Sequence, residues 1–216
     1  MHSSINKLLL IKKKIQENNE NVKIIAVSKT FPIEIIMPLI DYGHEDFGEN
    51  KVQEATDKWS NIKLKNNKIK MHLIGKLQTN KVKHALKIFD YIHSLDSEKL
   101  ANKIAAEQEK QNKRPKIFIQ VNIGNEDQKS GINKQKVEKF YKYCKNLNLD
   151  IIGTMTIPPN NENTESYFSE MNKINEKLKL QDLSMGMSND YMKAVKNKAT
   201  FVRIGSKIFG DRVNQF

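Results

Sequence analysis

Lys29 stands where a lysine amine could do chemistry, at the end of a short apolar run. Residues Ile24–Val27 and Ser28 precede it, and a run of this length and composition is typical of a buried strand. An amine held against apolar surroundings loses hydration, which favours its neutral form and allows it to condense with an aldehyde. The alternative is a solvated lysine that only ends a strand, in a chain that contains 34 lysines.

Two polar, glycine-containing turns near the end of the sequence predict an anion site. They are Ser184-Met185-Gly186-Met187-Ser188 and Arg203-Ile204-Gly205-Ser206. Backbone N–H groups, serine hydroxyls and the start of a helix can together surround a phosphate. The residues that would supply them are Ser184, Ser188, Gly205 and Ser206, with a helix starting near Lys207. Two ordinary turns are the competing interpretation.

Two residues between these segments could also face a ligand. Asn50 follows Phe47-Gly48-Glu49 and offers both a donor and an acceptor, although Gly and Asn are equally natural in a turn. His72 is flanked by apolar residues, where a histidine is more often part of the core than a cofactor contact. The choice depends on where the strands that carry them end.

Short apolar or β-branched runs alternate with amphipathic segments along the whole chain. The candidate strands are Lys23–Ser28, Asp46–Glu49, Lys70–Gly75, Tyr91–Leu95, Lys116–Asn122, Asp150–Thr156, Leu183–Met187 and Thr200–Gly205. The clearest helices are Lys134–Leu147 and Glu165–Leu178, and Ser97 is a fitting N-cap for a helix over Glu98–Gln111. A further helix near Ile5–Ile15 precedes the first strand.

The strict alternation predicts one α/β domain over residues 1–216, a (β/α)8 TIM barrel with an extra N-terminal helix. Parallel neighbours need a crossover, and a helix between consecutive strands provides it. An open doubly wound sheet would also fit the alternation, but it would favour a glycine-rich phosphate turn after the first strand. That turn reads Ser28-Lys29-Thr30-Phe31-Pro32 and has no glycine.

The barrel brings the lysine and the two turns to the same place. Active sites of such barrels form at the carboxyl ends of the strands, and phosphate sites frequently follow strands seven and eight. Lys29 would therefore face the anion site across the seam where the barrel closes. A phosphorylated aldehyde would satisfy both groups, and pyridoxal 5′-phosphate (PLP) has its aldehyde and its phosphate on opposite sides of a pyridine ring. The sequence thus predicts PLP as the cofactor.

The composition argues against several other classes of protein. No stretch approaches the roughly 18 apolar residues of a membrane span, and the N-terminus lacks a secretory signal, so we expect a cytoplasmic protein with no membrane partner. The single cysteine, Cys144, lies at helical spacing with Phe140 and Tyr141 and is expected to be a buried thiol. No disulfide or metal site is therefore predicted.

The formal net charge of +12 raises the question of nucleic acid. The lysines are spread over nearly every helix and only three arginines accompany them, whereas a nucleic-acid reader usually has a basic cluster with arginine and aromatic side chains. We therefore expect no nucleic-acid partner. An arginine retained in so lysine-rich a chain, such as Arg203, indicates a place where a planar guanidinium is needed.

Six ordered motifs resemble the YggS/PROSC family of PLP homeostasis proteins. They are Ala26-Val27-Ser28-Lys29-Thr30, Phe47-Gly48-Glu49-Asn50, His72-Leu73-Ile74-Gly75, Leu77-Gln78-Thr79-Asn80-Lys81, Leu183-Ser184-Met185-Gly186-Met187-Ser188 and Val202-Arg203-Ile204-Gly205-Ser206. The resemblance implies the barrel of the alanine racemase N-terminal domain, fold type III among PLP proteins. It also implies a protein of intracellular PLP (vitamin B6) homeostasis.

The resemblance assigns roles to individual residues. It implies that Lys29 holds PLP as a Schiff base and that Asn50 lines the cofactor. The phosphate cradle corresponds to Ser184, Ser188, Gly205 and Ser206, and Arg203 matches the arginine that faces the pyridine nitrogen. Because family members bind and transfer PLP, PLP-dependent apo-enzymes are expected partners, no catalytic residue is implied, and we expect a monomer. Phe31 and Lys76 depart from the pattern, since many relatives have lysine at the first position and His or Pro at the second.

A PLP-dependent amino-acid racemase is the alternative function. PLP becomes a deep electron sink when its pyridine nitrogen is protonated, and a permanent cation such as Arg203 opposes that protonation. Racemases of the same barrel class also have an arginine there, but they add a tyrosine base from an additional β domain and a partner subunit. We expect this chain to end too early to encode that domain, and neither Tyr42 nor Tyr191 falls at a predicted strand end. A carrier or regulatory protein is therefore expected rather than an enzyme.

Overall fold

Strands and helices alternate along the chain as the periodicity predicts. The computed structural model describes residues 2–18, 21–126, 128–159, 161 and 163–211. The strands are β1 (Lys23–Val27), β2 (Asp46–Glu49), β3 (Lys70–Leu73), β4 (Tyr91–Leu95), β5 (Lys116–Asn122), β6 (Ile132–Asn133), β7 (Ile151–Met155), β8 (Asp182–Ser184) and β9 (Phe201–Ile204). The helices are α1 (Ser3–Gln16), α2 (Ile33–Asp41), α3 (Val52–Lys65), α4 (Val82–Ile88), α5 (Glu98–Gln111), α6 (Val137–Asn146), α7 (Thr164–Lys177), α8 (Tyr191–Lys196) and α9 (Ser206–Phe209).

Eight of these strands close into a parallel barrel. The strand order is β4-β3-β2-β1-β9-β8-β7-β5, and a further pairing between β4 and β5 completes the circle. β1 pairs in parallel with β2 on one side and with β9 on the other, so the first and last strands meet at the seam. Helix α1 precedes β1 and packs against α2 and α9. The predicted barrel with an extra N-terminal helix is confirmed.

Strand β6 is not among the predicted strands. It has two residues and pairs in parallel with the carboxyl end of β5, where Val121 lies opposite Ile132 and Asn122 opposite Asn133. Two residues cannot display the alternation that identifies a strand, so the sequence pattern carries no signal for it. The predicted helix Lys134–Leu147 also begins differently, with a 3₁₀ turn over Lys134–Lys136 before α6.

Two apolar clusters form the core. The larger one lies mainly between the strands and the helices and contains the fully buried Trp59. The smaller one consists of Ile25, Tyr91, Phe118, Met155 and Phe201, which come from five strands. Because successive side chains of a strand point to opposite faces, these residues belong to the set that fills the barrel interior. Space for a ligand therefore lies above this layer, at the strand ends.

Two predictions about the helices, the N-cap at Ser97 and the buried thiol of Cys144, are confirmed. Ser97 is the N-cap of α5, and its hydroxyl accepts a hydrogen bond from the backbone N–H of Leu100 at 3.4 Å. Cys144 is buried on α6, and burial raises the pKa of its thiol to about 12, so the thiol stays protonated at neutral pH. Within the described residues, none of the helices combines the length and apolar character that crossing a membrane requires.

Candidate functional site

A cavity of about 610 Å³ opens at the carboxyl ends of the strands, next to the seam between β1 and β9. Its size is typical of cofactor and small-molecule sites. Residues from both sides of the seam line it, and they include Lys29, Asn50, Ser188, Arg203, Gly205 and Ser206. The structure thus brings six of the seven predicted site residues to one cavity.

The seventh residue, Ser184, lies below the cavity. It ends β8, its side chain is fully buried, and its hydroxyl bonds to Arg203 and His93 rather than facing the cavity. The turn that reaches the cavity begins after the strand, with Met187 and Ser188. Ser184 therefore supports the guanidinium from beneath.

A second cavity, of about 710 Å³, lies at the opposite end of the barrel, where β3, β4 and β5 begin. Lys70, Tyr91 and Lys116, the first residues of these strands, line it. In α/β barrels this end contributes to stability, whereas ligand chemistry occurs at the carboxyl ends of the strands. The smaller cavity, with its convergent polar groups, is therefore the functional candidate.

The loop that carries Lys29 is fixed by polar contacts from helix α3. Thr30 has a left-handed φ of 67°, and its backbone N–H donates to the Glu54 carboxylate at 2.6 Å. The Lys58 ammonium donates to the carbonyl of Ser28 at 3.0 Å. These contacts hold the backbone on both sides of Lys29, so the position of the amine does not depend on its own side chain alone.

Glu49 anchors the same loop and was missed by the sequence reasoning. Its carboxylate is fully buried, and one oxygen accepts hydrogen bonds from Ser28 Oγ at 2.8 Å and from Lys58 Nζ and Trp59 Nε1 at 3.0 Å. Burial raises the pKa of Glu49 although Lys58 and these donors oppose the shift. The available signal was a carboxylate at the end of a buried strand.

Asn50 reaches the cavity because Gly75 allows a close approach of two strand ends. A Cβ atom at Gly75 would lie 2.4 Å from the Asn50 carbonyl oxygen and 2.8 Å from its Cα. Real Cβ atoms do not come so close, so any side chain at residue 75 would push Asn50 away. The glycine that ends the third predicted strand thus sets the position of Asn50 at the cavity.

The turn after β8 is shaped by Gly186. Its φ of 89° is left-handed, and a Cβ atom there would lie 2.5 Å from the Ala194 side chain. The Asp190 carboxylate then accepts a hydrogen bond from the Met187 backbone N–H at 2.6 Å. Together these contacts place Ser188 in the lining of the cavity.

The turn after β9 lines the cavity with Gly205 and Ser206 and starts helix α9. Gly205 is the N-cap of α9, and its carbonyl accepts from the N–H groups of Ile208 and Phe209. The first N–H groups of a helix have no acceptor within the helix, so those of Ser206 and Lys207 are left for another partner. The helix start that the sequence predicts near Lys207 therefore lies at Ser206.

Arg203 lies on β9 and is almost completely buried. Its guanidinium donates to Ser184 Oγ at 2.8 Å and to the Thr156 carbonyl at 2.8 Å. Burial lowers the pKa of Arg203 to about 10, and Asp190 opposes that shift, so the side chain remains a cation at neutral pH. A guanidinium has five N–H donors, and two are used in these bonds.

His72 lies inside the barrel and belongs to the core. It is fully buried and stacks on Tyr91 with ring centroids 4.2 Å apart. Its ring nitrogens bond to Asp46 at 2.9 Å and to His93 at 3.0 Å. The sequence left open whether His72 is a core residue or a cofactor contact. Its position in the barrel interior shows that it is a core residue.

The two residues that depart from the family pattern lie in different surroundings. Phe31 lines the cavity and packs against the ring of Phe209, with centroids 5.1 Å apart. Lys76 is exposed and follows Gly75 at the same end of the barrel. The departure at residue 31 thus makes part of the cavity wall apolar.

Known proteins match both the sequence and the fold. The family model for the alanine racemase N-terminal domain matches residues 6–213. The pyridoxal phosphate homeostasis protein of Aquifex aeolicus is 38% identical over 200 residues, which cover 88% of this chain and 87% of that protein. The protein of the same name from Schizosaccharomyces pombe is 34% identical over 217 residues, covering 94% of this chain and 90% of its own.

Solved structures give the same result. PipY of Synechococcus elongatus, determined with PLP bound, is 31% identical with a TM-score of 0.87, and the match covers 96% of this chain and 100% of that chain. An alanine racemase from Clostridium difficile shares the fold at 15% identity and a TM-score of 0.76, over 99% of this chain and 59% of the racemase. The chain therefore belongs to the alanine racemase N-terminal domain family and, within it, to the pyridoxal phosphate homeostasis proteins.

Proposed function

We propose that this protein binds PLP in the cavity at the seam and holds it covalently through Lys29, as part of PLP homeostasis. The observation that carries the proposal is that Lys29 and the two donor-rich turns line one cavity. PipY, which shares the fold over almost the whole chain, has been solved with PLP bound. When bound, PLP supplies an aldehyde that reacts with amines and a ring that accepts electron density.

The donor set of the cavity fits the phosphate of PLP. The hydroxyls of Ser188 and Ser206 and the first N–H groups of α9 lie together on the side of the seam opposite Lys29. Hydroxyls and helix-start N–H groups are the usual partners of a phosphate in proteins. Ser184 contributes indirectly in this arrangement, because its hydroxyl is bonded to Arg203.

Gly205 gives a sharp test of the phosphate position. Its φ of −112° is accessible to any residue, and a Cβ atom there would be 3.4 Å from Val27, which is an ordinary contact. Packing within the protein therefore does not require a glycine, and close backbone approach by a bound phosphate provides the reason for one. We expect Gly205→Ala to leave the unfolding midpoint in urea nearly unchanged and to weaken PLP binding about tenfold.

The result of the Gly205→Ala experiment separates two explanations. A large loss of stability with unchanged PLP affinity would show that the glycine serves the fold instead of the ligand. Equilibrium dialysis against PLP and urea unfolding, done on the same preparation, measure both quantities.

Arg203 is suited to a pyridine nitrogen that carries no proton. A guanidinium can only donate hydrogen bonds, and an unprotonated ring nitrogen can only accept one. The cation also opposes protonation of that nitrogen, because two positive charges would then face each other. Arg203 thereby limits the use of the ring as an electron sink, which favours holding the cofactor over catalysis with it.

The lining of the cavity also favours a carrier over a racemase. Within the described part of the chain, no tyrosine, histidine or cysteine lines it. Tyr42 lies at the amino end of the barrel, in a small cavity with His44 and Asp46, and Tyr191 is buried on α8. Neither tyrosine lines the cavity, so neither is placed to exchange a proton with an amino acid bound there.

The covalent site and the absence of racemase activity are tested together. Borohydride reduction of the yellow protein followed by peptide mass mapping is expected to place the cofactor mass on the peptide that contains Lys29. Incubation with single-enantiomer amino acids in deuterated water is expected to give slow exchange of the α-proton. Rapid exchange would support the racemase, and a label on another lysine would contradict the site.

The cellular role follows from the same proposal. We place the protein in the cytoplasm as a monomer that passes PLP to PLP-dependent apo-enzymes, with no nucleic-acid or membrane partner. The buried thiol of Cys144 suits a reducing compartment. Mixing the PLP-loaded protein with a PLP-dependent apo-enzyme is expected to restore that enzyme's activity faster than spontaneous release of PLP allows.

A further inference from the structure

Four side chains, three of them fully buried, connect the amino end of the barrel to Arg203. Asp46 Oδ1 lies 2.9 Å from His72 Nε2, His72 Nδ1 lies 3.0 Å from His93 Nε2, and His93 Nδ1 lies 2.9 Å from Ser184 Oγ. Ser184 Oγ in turn accepts from the Arg203 guanidinium at 2.8 Å. We call Asp46, His72, His93 and Ser184 the buried relay.

The relay crosses the barrel interior from one end to the other. Asp46 begins β2 and retains 19% exposure of its side chain, in a small cavity at the amino end. His72, His93 and Ser184 have no exposed surface, and Arg203 lines the cavity at the carboxyl end. Both imidazoles lie flat against aromatic rings, with His72 on Tyr91 and His93 on Phe118. These stacks leave the ring edges, where the nitrogens are, free to form the relay.

The two ends fix the direction in which every hydrogen bond is donated. A guanidinium can only donate and a carboxylate can only accept. Starting from Asp46, His72 must carry its hydrogen on Nε2, so its neutral ring accepts at Nδ1 from His93 Nε2. His93 then accepts at Nδ1 from the Ser184 hydroxyl, and that oxygen accepts from Arg203. Only this assignment satisfies all groups with both imidazoles neutral.

The surroundings favour neutral imidazoles. Burial lowers the pKa of His72, although Asp46 opposes the shift, and burial lowers the pKa of His93 well below its usual value, with His72 and Arg203 acting in the same direction. For Asp46, burial acts to raise the pKa, but the hydrogen bond from His72 and the nearby Lys23 cation act against it, and the net shift is downward. The carboxylate end of the relay is therefore an acceptor at neutral pH.

The charge of Asp190, which lines the same cavity, favours the cationic form of Arg203, but Asp190 is not among the hydrogen-bond partners described for it. Both hydrogen-bond partners that the structure describes for Arg203 are neutral oxygens, Ser184 Oγ and the Thr156 carbonyl. Chains of hydrogen bonds polarise one another, so an ionised carboxylate at one end strengthens the acceptor at the other. Asp46 can thus act on Arg203 without touching it.

We propose that the buried relay positions Arg203 for the cofactor nitrogen and couples the Asp46 carboxylate, at the far end of the barrel, to the strength of that contact. These four are positioning residues, because none of them is placed against the cofactor. The role toward PLP rests on the function proposed above, whereas the direction of the relay is a property of the protein alone.

The direction of the relay is tested first, on the whole protein at neutral pH. Long-range nitrogen-15 NMR of the imidazole rings distinguishes the two neutral tautomers from the protonated ring. We expect His72 and His93 both to be neutral with the hydrogen on Nε2. A protonated ring, or a hydrogen on Nδ1 of either residue, would overturn the proposal, and this result is independent of whether PLP binds.

The effect on the cofactor is tested with a matched pair of serine variants. Ser184→Ala removes the acceptor for Arg203, and we expect about tenfold weaker PLP binding. The hydrogen of His93 should stay on Nε2, because Asp46 and His72 still fix it, but the His93 Nδ1 resonance should shift since that nitrogen loses its donor. Ser94→Ala is the control, because Ser94 is also buried and its hydroxyl has no hydrogen-bond partner among the described residues. We expect the control to bind PLP within twofold of the parent. If the two variants weakened PLP binding equally, Ser184 would have only a packing role.

Asp46→Asn separates charge from shape. The amide is the same size as the carboxylate but can both donate and accept, so it no longer fixes the direction of the relay. We expect a mixture of His72 tautomers and PLP binding weakened by about threefold, less than in Ser184→Ala. If neither the imidazole tautomers nor the PLP affinity changed in this variant, the proposed coupling of Asp46 to Arg203 would be wrong. That result would not contradict the proposal that the protein binds PLP.

Discussion

Lys29→Ala is expected to yield a colourless, folded protein that does not retain PLP through gel filtration. The variant removes the only group that the proposal allows to bond covalently to the aldehyde, while the hydroxyls of Ser188 and Ser206, which are proposed to hold the phosphate, remain in the cavity lining. Absorbance of the bound cofactor should be lost, and reversible binding should be weaker than in the parent by at least a hundredfold, since covalent attachment is absent. Absorption spectra and equilibrium dialysis measure the two effects.

Two further lysine variants show whether the loss of PLP absorbance is due to the missing amine of Lys29. Lys29→Arg keeps a cation at the site but cannot form a stable bond to the aldehyde, so it should be as colourless as the alanine variant. Lys76→Ala removes an exposed lysine at the same end of the barrel and should remain yellow. If Lys29→Ala kept the absorbance of the parent, another amine would carry the cofactor and the site assignment would be wrong.

The fold could be predicted because its signals are local. The strands are short segments rich in apolar or β-branched residues, and the intervening helices have an apolar face, so their alternation can be read from the sequence. The positions of Lys29 and of the turns around Ser188 and Gly205 follow from the rule that strand ends meet at one end of a barrel. Strand β6 escapes this reasoning because two residues cannot show a period.

The polar interior of the site could not be predicted in the same way. Glu49, His93 and Ser184 bond to residues far away in sequence, such as Ser28, His72 and Arg203. A strand pattern tells which face a side chain occupies but does not tell which side chains from other strands meet it there. Ser184 illustrates the difference: the predicted strand runs on to Met187, whereas β8 ends at Ser184, and its buried hydroxyl bonds to His93 and Arg203 instead of facing the cavity.

Arg203 is expected to be the second most sensitive residue of the site, and Arg203→Lys should weaken PLP binding about tenfold to a hundredfold. The guanidinium presents several donors in one plane, and it bonds to Ser184 and to the Thr156 carbonyl at the same time. A lysine ammonium is a compact donor on a flexible stem and cannot hold both oxygens while also facing the pyridine nitrogen. Each lost hydrogen bond to a charged group costs about 1.5–3 kcal/mol, which gives the expected range.

The chain provides its own control in Arg114, which is exposed and donates to the Asn148 carbonyl at 3.2 Å on the surface. Arg114→Lys makes the same chemical change far from the cavity and should leave both PLP affinity and the spectrum of bound PLP unchanged. The Arg203 variant should also shift that spectrum, because the ring nitrogen would lose a fixed cation that opposes its protonation. If PLP affinity and the spectrum of bound PLP were unchanged in both variants, the site would need only a positive charge near β9. The presence of arginine at residue 203 of so lysine-rich a chain would then have no functional explanation.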